Sequence, residues 1–153
     1  RHGDEVFQYY MGQGTTHGIF DPHNPDGVGQ VFRLVQRRDR FIAAAAGSKG
    51  GRFLTPLLQP HPEARALEVN IDCQGLGEAF VQIRDAAGRP LPGFLREDCD
   101  PIDLNQLRHV VTWRGQGDLA PLRGGPIRLE FFLRSARLYT FAFGRDANAA
   151  GRR

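Results

Sequence analysis

The sequence predicts an all-β chain, with two antiparallel sheets packed as a jelly-roll-like β-sandwich, on three observations. Short segments alternate apolar and polar residues with a period of two, which puts one set of side chains inside and the other outside. The 19 glycines and 10 prolines fall between those segments, where turns belong. No segment sustains the apolar spacing of an amphipathic helix. A closed barrel satisfies the same pattern and is the alternative.

The pattern is clearest from Arg65 to Pro92. Leu67, Val69 and Ile71 alternate with Glu68, Asn70 and Asp72, and Ala79, Val81 and Ile83 alternate with Phe80, Gln82 and Arg84. With Gly75 and Gly77 between them, the two runs read as a β-hairpin on one wall of a sandwich, with Glu68, Asn70, Asp72 and Phe80 outward. Before it, Asp4 to Met11 reads as a strand with at least one exposed tyrosine, and Gly12 to Gly29 as a long loop. Gln30 to Gln36 and Arg40 to Ala46 read as a hairpin turning at Arg38-Asp39, Ala43 to Ala46 being cut short of a helix by Gly47, Gly50 and Gly51. Pro56 marks Arg52 to Leu58 as an edge strand. Further on, Arg108 to Trp113, Ile127 to Arg134 and Arg137 to Phe143 are strands, the last with Tyr139, Phe141 and Phe143 on one face. The loop Arg114 to Pro126 tucks Leu119 and Leu122 toward the core. Nine short strands result, arranged as an N-terminal strand and loop (1–29), a sandwich (30–144) and a flexible tail (145–153).

Composition limits the partners. The formal charge is +3, from 20 basic and 17 acidic side chains, and Lys49 is the sole lysine. An arginine-heavy, lysine-poor chain reflects coding bias, and the dense group Arg37, Arg38 and Arg40 is interrupted by Asp39, so it reads as a solvated strand end rather than a nucleic-acid surface. No run of about 18 apolar residues is long enough to span a membrane. The chain begins at Arg1 without a methionine, so either its start is processed or it is a piece of a longer protein, and cytoplasmic and secreted locations both stay open. Cys73 and Cys99 lack zinc spacing and read as two buried thiols, with a disulfide as the alternative.

The chemistry-bearing residues are few. Ser48 and Ser135 are the only serines and neither lies in a nucleophile motif. Glu97, Asp98, Asp100 and Asp103 lie within seven positions, which makes Asp98, Asp100 and Asp103 a candidate calcium set, although the spacing is not that of an EF-hand. His17, Asp21 and His23 form a second, incomplete set. For a sugar, stacking aromatics and hydroxyl partners are required. The candidates are Tyr9, Tyr10, His17, Trp113 and Asp118, while Phe80 and Phe132, apolar but outward, mark a docking face.

The runs LEVNID, PLPGF, WRGQGDLAPLRGGPIRLEF and ARLYTF, within Glu5 to Phe143, resemble the C-terminal β-sandwich region of bacterial glycoside-hydrolase-like proteins of the invertase and levanase-related five-bladed propeller type. The resemblance implies a propeller-type catalytic domain upstream that carries the catalytic carboxylates, with Tyr9, Tyr10 and His17 near the junction. Arg40 stands where that family commonly has Gly, and Gly125 where a basic residue is common. The expected function is therefore a non-catalytic accessory module that supports a catalytic domain or binds carbohydrate. The alternatives are a self-sufficient glycoside hydrolase using loop carboxylates, and a protein-interaction or dimerisation module.

Overall fold

The computed structural model describes residues 3–12, 30–122 and 125–145. It divides into two compact units, Arg1–Arg38 and Asp39–Arg153. In the first, β1 (Glu5–Gly12) and β2 (Gln30–Arg37) pair antiparallel from Glu5 opposite Arg37 to Gly12 opposite Gln30. Cross-strand partners Tyr10 and Phe32 stack with centroids 5.2 Å apart, and the Arg33 guanidinium lies 5.0 Å from the Phe7 centroid. The expected pairing of β2 with Arg40 to Ala46 is thus corrected: β2 goes with β1, and the unit boundary follows Arg38 rather than residue 29. The expected loop and tail lie almost entirely outside the described residues.

The second unit is the sandwich. One sheet has the order β3 (Ala44–Ala46), β9 (Ala136–Gly144), β5 (Ala66–Asp72), β7 (Asn105–Val110); the other has β4 (Gly51–Leu54), β8 (Ile127–Arg134), β6 (Glu78–Asp85). From β3 to β9 every strand lies in the sheet opposite its predecessor, and all pairing is antiparallel. That is jelly-roll topology in seven strands, with two single 3₁₀ turns among the described residues, η1 (Arg96–Asp98) and η2 (Ala120–Leu122). The open edge of β6 is partly covered by irregular chain, through bridges from Ala79 to Ile102 and Arg84 to Pro90.

This alternation between sheets overturns the reading of Arg65 to Pro92 as a hairpin. β5 and β6 belong to opposite sheets, and Cys73 to Gly77 is an arch across the sandwich. The arch is tight: Gln74 and Gly75 have φ of 49° and 76°, and a β-carbon at Gly77 would collide with the Ser135 and Cys73 carbonyl oxygens. Period-two alternation assigns faces correctly in both arrangements, so it cannot say which sheet a strand joins.

The core lies between the sheets, where Leu67, Val69 and Ile71 meet Val81, Ile83, Leu129 and Phe131. Phe131 stacks on Phe53 and tilts against Phe141. Leu119 is buried and Leu122 packs on the same cluster, as the sequence predicts. In β9 a register shift opposite Asn70 and Ile71 separates Tyr139 from Phe141 and Phe143. Leu138 faces the core instead, and Tyr139 lies beneath the Arg40 guanidinium, 4.8 Å from its centroid. The expected single aromatic wall is therefore split by a bulge.

Arg40 staples the outer side of the four-stranded sheet. Its Nε donates to Asn70 Oδ1 at 2.9 Å, and Nη2 donates to the carbonyls of Ile71 and Gln106 at 3.1 and 3.2 Å, joining β5 to β7 where their register shifts. Replacing Arg40 with Ala removes these charge-assisted bonds and should lower the unfolding free energy by about 2 kcal/mol in urea titration, with Arg40→Lys recovering less than half because a point charge cannot fork.

Candidate functional site

β4, β8 and β6 present their alternate residues on the outer side of the three-stranded sheet. Arg52 is opposite Phe132, Phe132 opposite Phe80, Gln82 opposite Glu130, and Glu78 opposite Arg134. Glu130 is buried although it points outward, because polar chains close over it. It accepts from Gln82 Nε2 at 2.9 Å and Arg84 Nε at 2.8 Å, and Arg52 Nη1 reaches it at 3.2 Å. The carboxamide oxygen of the same glutamine, Gln82 Oε1, accepts from the backbone N–H of Arg96 at 3.2 Å and so ties η1 to the sheet.

Arg96 is the result of that tie. Phe94 just before it is buried, edge-on to Trp113 at 5.1 Å, and Asp98 just after it is buried beside the Arg114 guanidinium in an ion pair that is not an aligned hydrogen bond. Held from both sides, Arg96 lays its guanidinium over Phe132 and Phe80, 4.7 and 5.6 Å from the ring centroids. Phe80 and Phe132, which the sequence marks as outward, are indeed outward, but half-buried under this cation. Beside them a recess of about 470 Å³ is lined by Lys49, Gly50, Gly51, Arg52, Glu78, Phe80, Arg96, Phe132 and Arg134, within the size range of small-molecule sites. Its one lining carboxylate, Glu78, pairs with Arg134 Nε at 3.1 Å. Its lining offers charge, hydrogen-bonding groups and ring edges.

The residues singled out from sequence fare unequally. Tyr9 and Tyr10 are exposed on the hairpin of the first unit, and His17 lies outside the described residues. Trp113 is corrected outright: it is 2% exposed and donates from Nε1 to the Val81 carbonyl at 2.9 Å, so it joins core to sheet and offers no platform. Asp118 is exposed and accepts from the Ala120 N–H at 2.9 Å, capping η2. The calcium set is not brought together. Asp98 is occupied by Arg114, Asp100 Oδ2 accepts from Thr112 Oγ1 and the Gly115 N–H to hold the turn after Trp113, and Asp103 is exposed; no group of three metal-ligating side chains forms among the described residues. Nor is the outer face of β5 open: Glu68 is buried in a forked pair with Arg108 Nε and Nη2 at 2.8 and 2.9 Å, and Asn70 is buried under Arg40.

Arg96, Lys49 and Arg52 line this candidate site and are missed by sequence reasoning. No local pattern flags Arg96, since its partners are 16 and 36 positions away, on β6 and β8. No family model matches the chain, and no curated protein or solved structure does either.

Cys73 and Cys99 are both buried and free, with Cys73 Sγ donating to the Ile102 carbonyl at 3.1 Å. Burial pushes each thiol up to about 11, so neither forms a thiolate nucleophile near neutrality. His109 is held below its ordinary 6.5 by burial, partly opposed by the Asp103 charge. A depressed histidine favours the neutral form in the folded state, so its contribution is complete above pH 6.5 and is lost as pH falls through that value toward the folded one. We expect the urea midpoint to fall on acidification below pH 6.5, and His109→Asn to flatten that part of the profile. An unchanged slope in the variant would assign the acid sensitivity to other groups.

Proposed function

We propose that this chain is a non-catalytic β-sandwich module of a glycoside-hydrolase-like protein, and that it binds carbohydrate in the recess beside Phe80 and Phe132. The observation that carries the reading is the layered site itself: two cross-strand phenyl rings, a guanidinium fixed over them, and polar groups at the rim. Sugars are amphipathic, with C–H faces that favour aromatic and methylene surface and hydroxyls that favour fixed donors. The guanidinium stacked on rings offers both in one place. The resemblance of LEVNID, WRGQGDLAPLRGGPIRLEF and ARLYTF to accessory sandwich regions agrees with this assignment. Against self-sufficient hydrolysis, which needs a facing carboxylate pair, stands the engagement of Asp98 and Asp100 with the turn after Trp113.

Affinity electrophoresis of the purified chain through gels containing plant and microbial polysaccharides tests the proposal. At least one polymer should retard it, and Phe132→Ala should weaken that retardation about tenfold, on the scale of 1.4 kcal/mol per decade. Tyr10→Ala should leave it unchanged. Free migration in every gel would reject carbohydrate binding.

A second reading, a protein-interaction module, is favoured by the first unit. Tyr9, Tyr10, Met11, Val31 and Leu34 are all exposed on a two-stranded hairpin, more apolar surface than an isolated hairpin normally shows to water. Sedimentation velocity should then show a mass that rises with concentration, and Val31→Glu should abolish the rise. A concentration-independent monomer would remove self-association.

A further inference from the structure

Resting on the carbohydrate-binding reading, we propose that the ligand of the recess is an acidic saccharide, whose carboxylate or sulfate is held by Arg96 and Lys49. The recess concentrates positive charge that the protein itself leaves uncompensated. Arg134 has Glu78, and Arg52 shares Glu130 with Arg84. Arg96 and Lys49 meet no carboxylate among the described residues, and Glu97, the acid next to Arg96 in sequence, does not line the recess.

The state of Arg96 makes it more than a surface charge. Stacking on Phe132 and Phe80 engages the guanidinium's face, and the backbone bond to Gln82 fixes its origin. Its edge N–H groups, the part that forks onto a carboxylate or sulfate, remain open. A flexible surface arginine loses rotamer freedom when it grips an anion; this one is already ordered. Opposite it, the chain at Gly50 runs at φ 74° and close under the Leu133 carbonyl, which brings Lys49 and Gly51 to the rim. Lys49 then supplies a second, adaptable donor to the same anion.

The other cations of this sheet face already bond protein oxygens: Arg134 pairs with Glu78, Arg52 and Arg84 share Glu130, and Arg128 donates to the Thr55 carbonyl, so their donors do not form the open stripe that a nucleic-acid backbone would follow. One anionic group on a polar, hydroxyl-rich ligand suits one recess with two open cations. Uronate and sulfate esters share that chemistry.

Matched polymers separate the inference from the reading on which it rests. The full chain is run through gels containing polygalacturonate, its fully methyl-esterified form, and dextran sulfate beside dextran. Retardation is expected in one or both anionic polymers at least tenfold above the neutral counterpart, falling as salt rises. Arg96→Gln should remove most of it, with Arg96→Lys intermediate and Lys49→Gln weaker. Arg137→Gln, which removes the same charge from the opposite sheet, should leave it intact. Circular dichroism and the urea midpoint establish that each variant is folded.

Equal retardation by neutral and anionic partners would overturn the acidic-saccharide inference while leaving carbohydrate binding standing. Retardation by none would overturn both. Equal loss in Arg96→Gln and Arg137→Gln would reduce the effect to net charge and overturn the site. Tighter binding to polyuridylate than to either acidic polysaccharide, abolished by Arg96→Gln, would assign the recess to nucleic acid instead.

Discussion

One buried carboxylate organises the outer side of the three-stranded sheet. Glu130 sits in the middle strand with its side chain away from the core, a position that would ordinarily face water. Arg52 from β4 and Arg84 and Gln82 from β6 converge on it, so one residue ties three strands laterally beyond their backbone ladders. A buried charge is tolerable only when its lone pairs are filled, and here three side chains fill them. The same cluster extends through Gln82 Oε1 to the Arg96 N–H, which places η1 over the phenyl pair. Fold and recess therefore depend on a single polar cluster, and perturbing it would affect both.

The two sheets solve the same problem differently. On the four-stranded sheet, Glu68 and Asn70 are outward residues of β5 that are also buried, each beneath an arginine from another part of the chain. Arginine suits this because its methylene stem covers neighbouring side chains while its fork satisfies a carboxylate or amide. An arginine-rich composition that reads as coding bias in the sequence thus has a structural use: it roofs both outer faces. The outcome is a sandwich whose polar outer residues are partly interior, so the inside-outside alternation is true of direction but not of burial.

This separates what the sequence discloses from what it hides. Strand positions and the all-β class were legible because period-two alternation and glycine and proline punctuation are local signals, and β5, β6 and β8 obey them closely. Sheet membership was hidden, because the arch at Gln74 to Gly77 uses the same turn residues as a hairpin would. The bulge in β9 was hidden as well, since ARLYTFAF continues its alternation in writing while the backbone slips by one residue. A lone tryptophan beside a loop carries no mark of a bond such as that of Trp113 to Val81, and no local pattern marks Arg96, whose site is assembled from η1, β6 and β8. Chemistry that depends on distant strands meeting cannot be read from spacing along one.

Arg96 is informative because of the company it keeps. The sandwich's other described arginines mostly terminate in a carboxylate, as Arg108 does on Glu68 and Arg89 on Asp85, or in carbonyl and amide oxygens, as Arg128 does on Thr55 and Arg40 on Asn70. Arg96 terminates on ring faces, which stabilise a cation by only about 0.5 to 1 kcal/mol at an exposed site and leave every edge donor to water. If stability alone shaped this face, a carboxylate across from Arg96 would be a simple addition, as Glu78 already is for Arg134 two positions along β8 from Phe132. An ordered but unneutralised guanidinium beside a recess is instead the arrangement that leaves room for an anion supplied from outside.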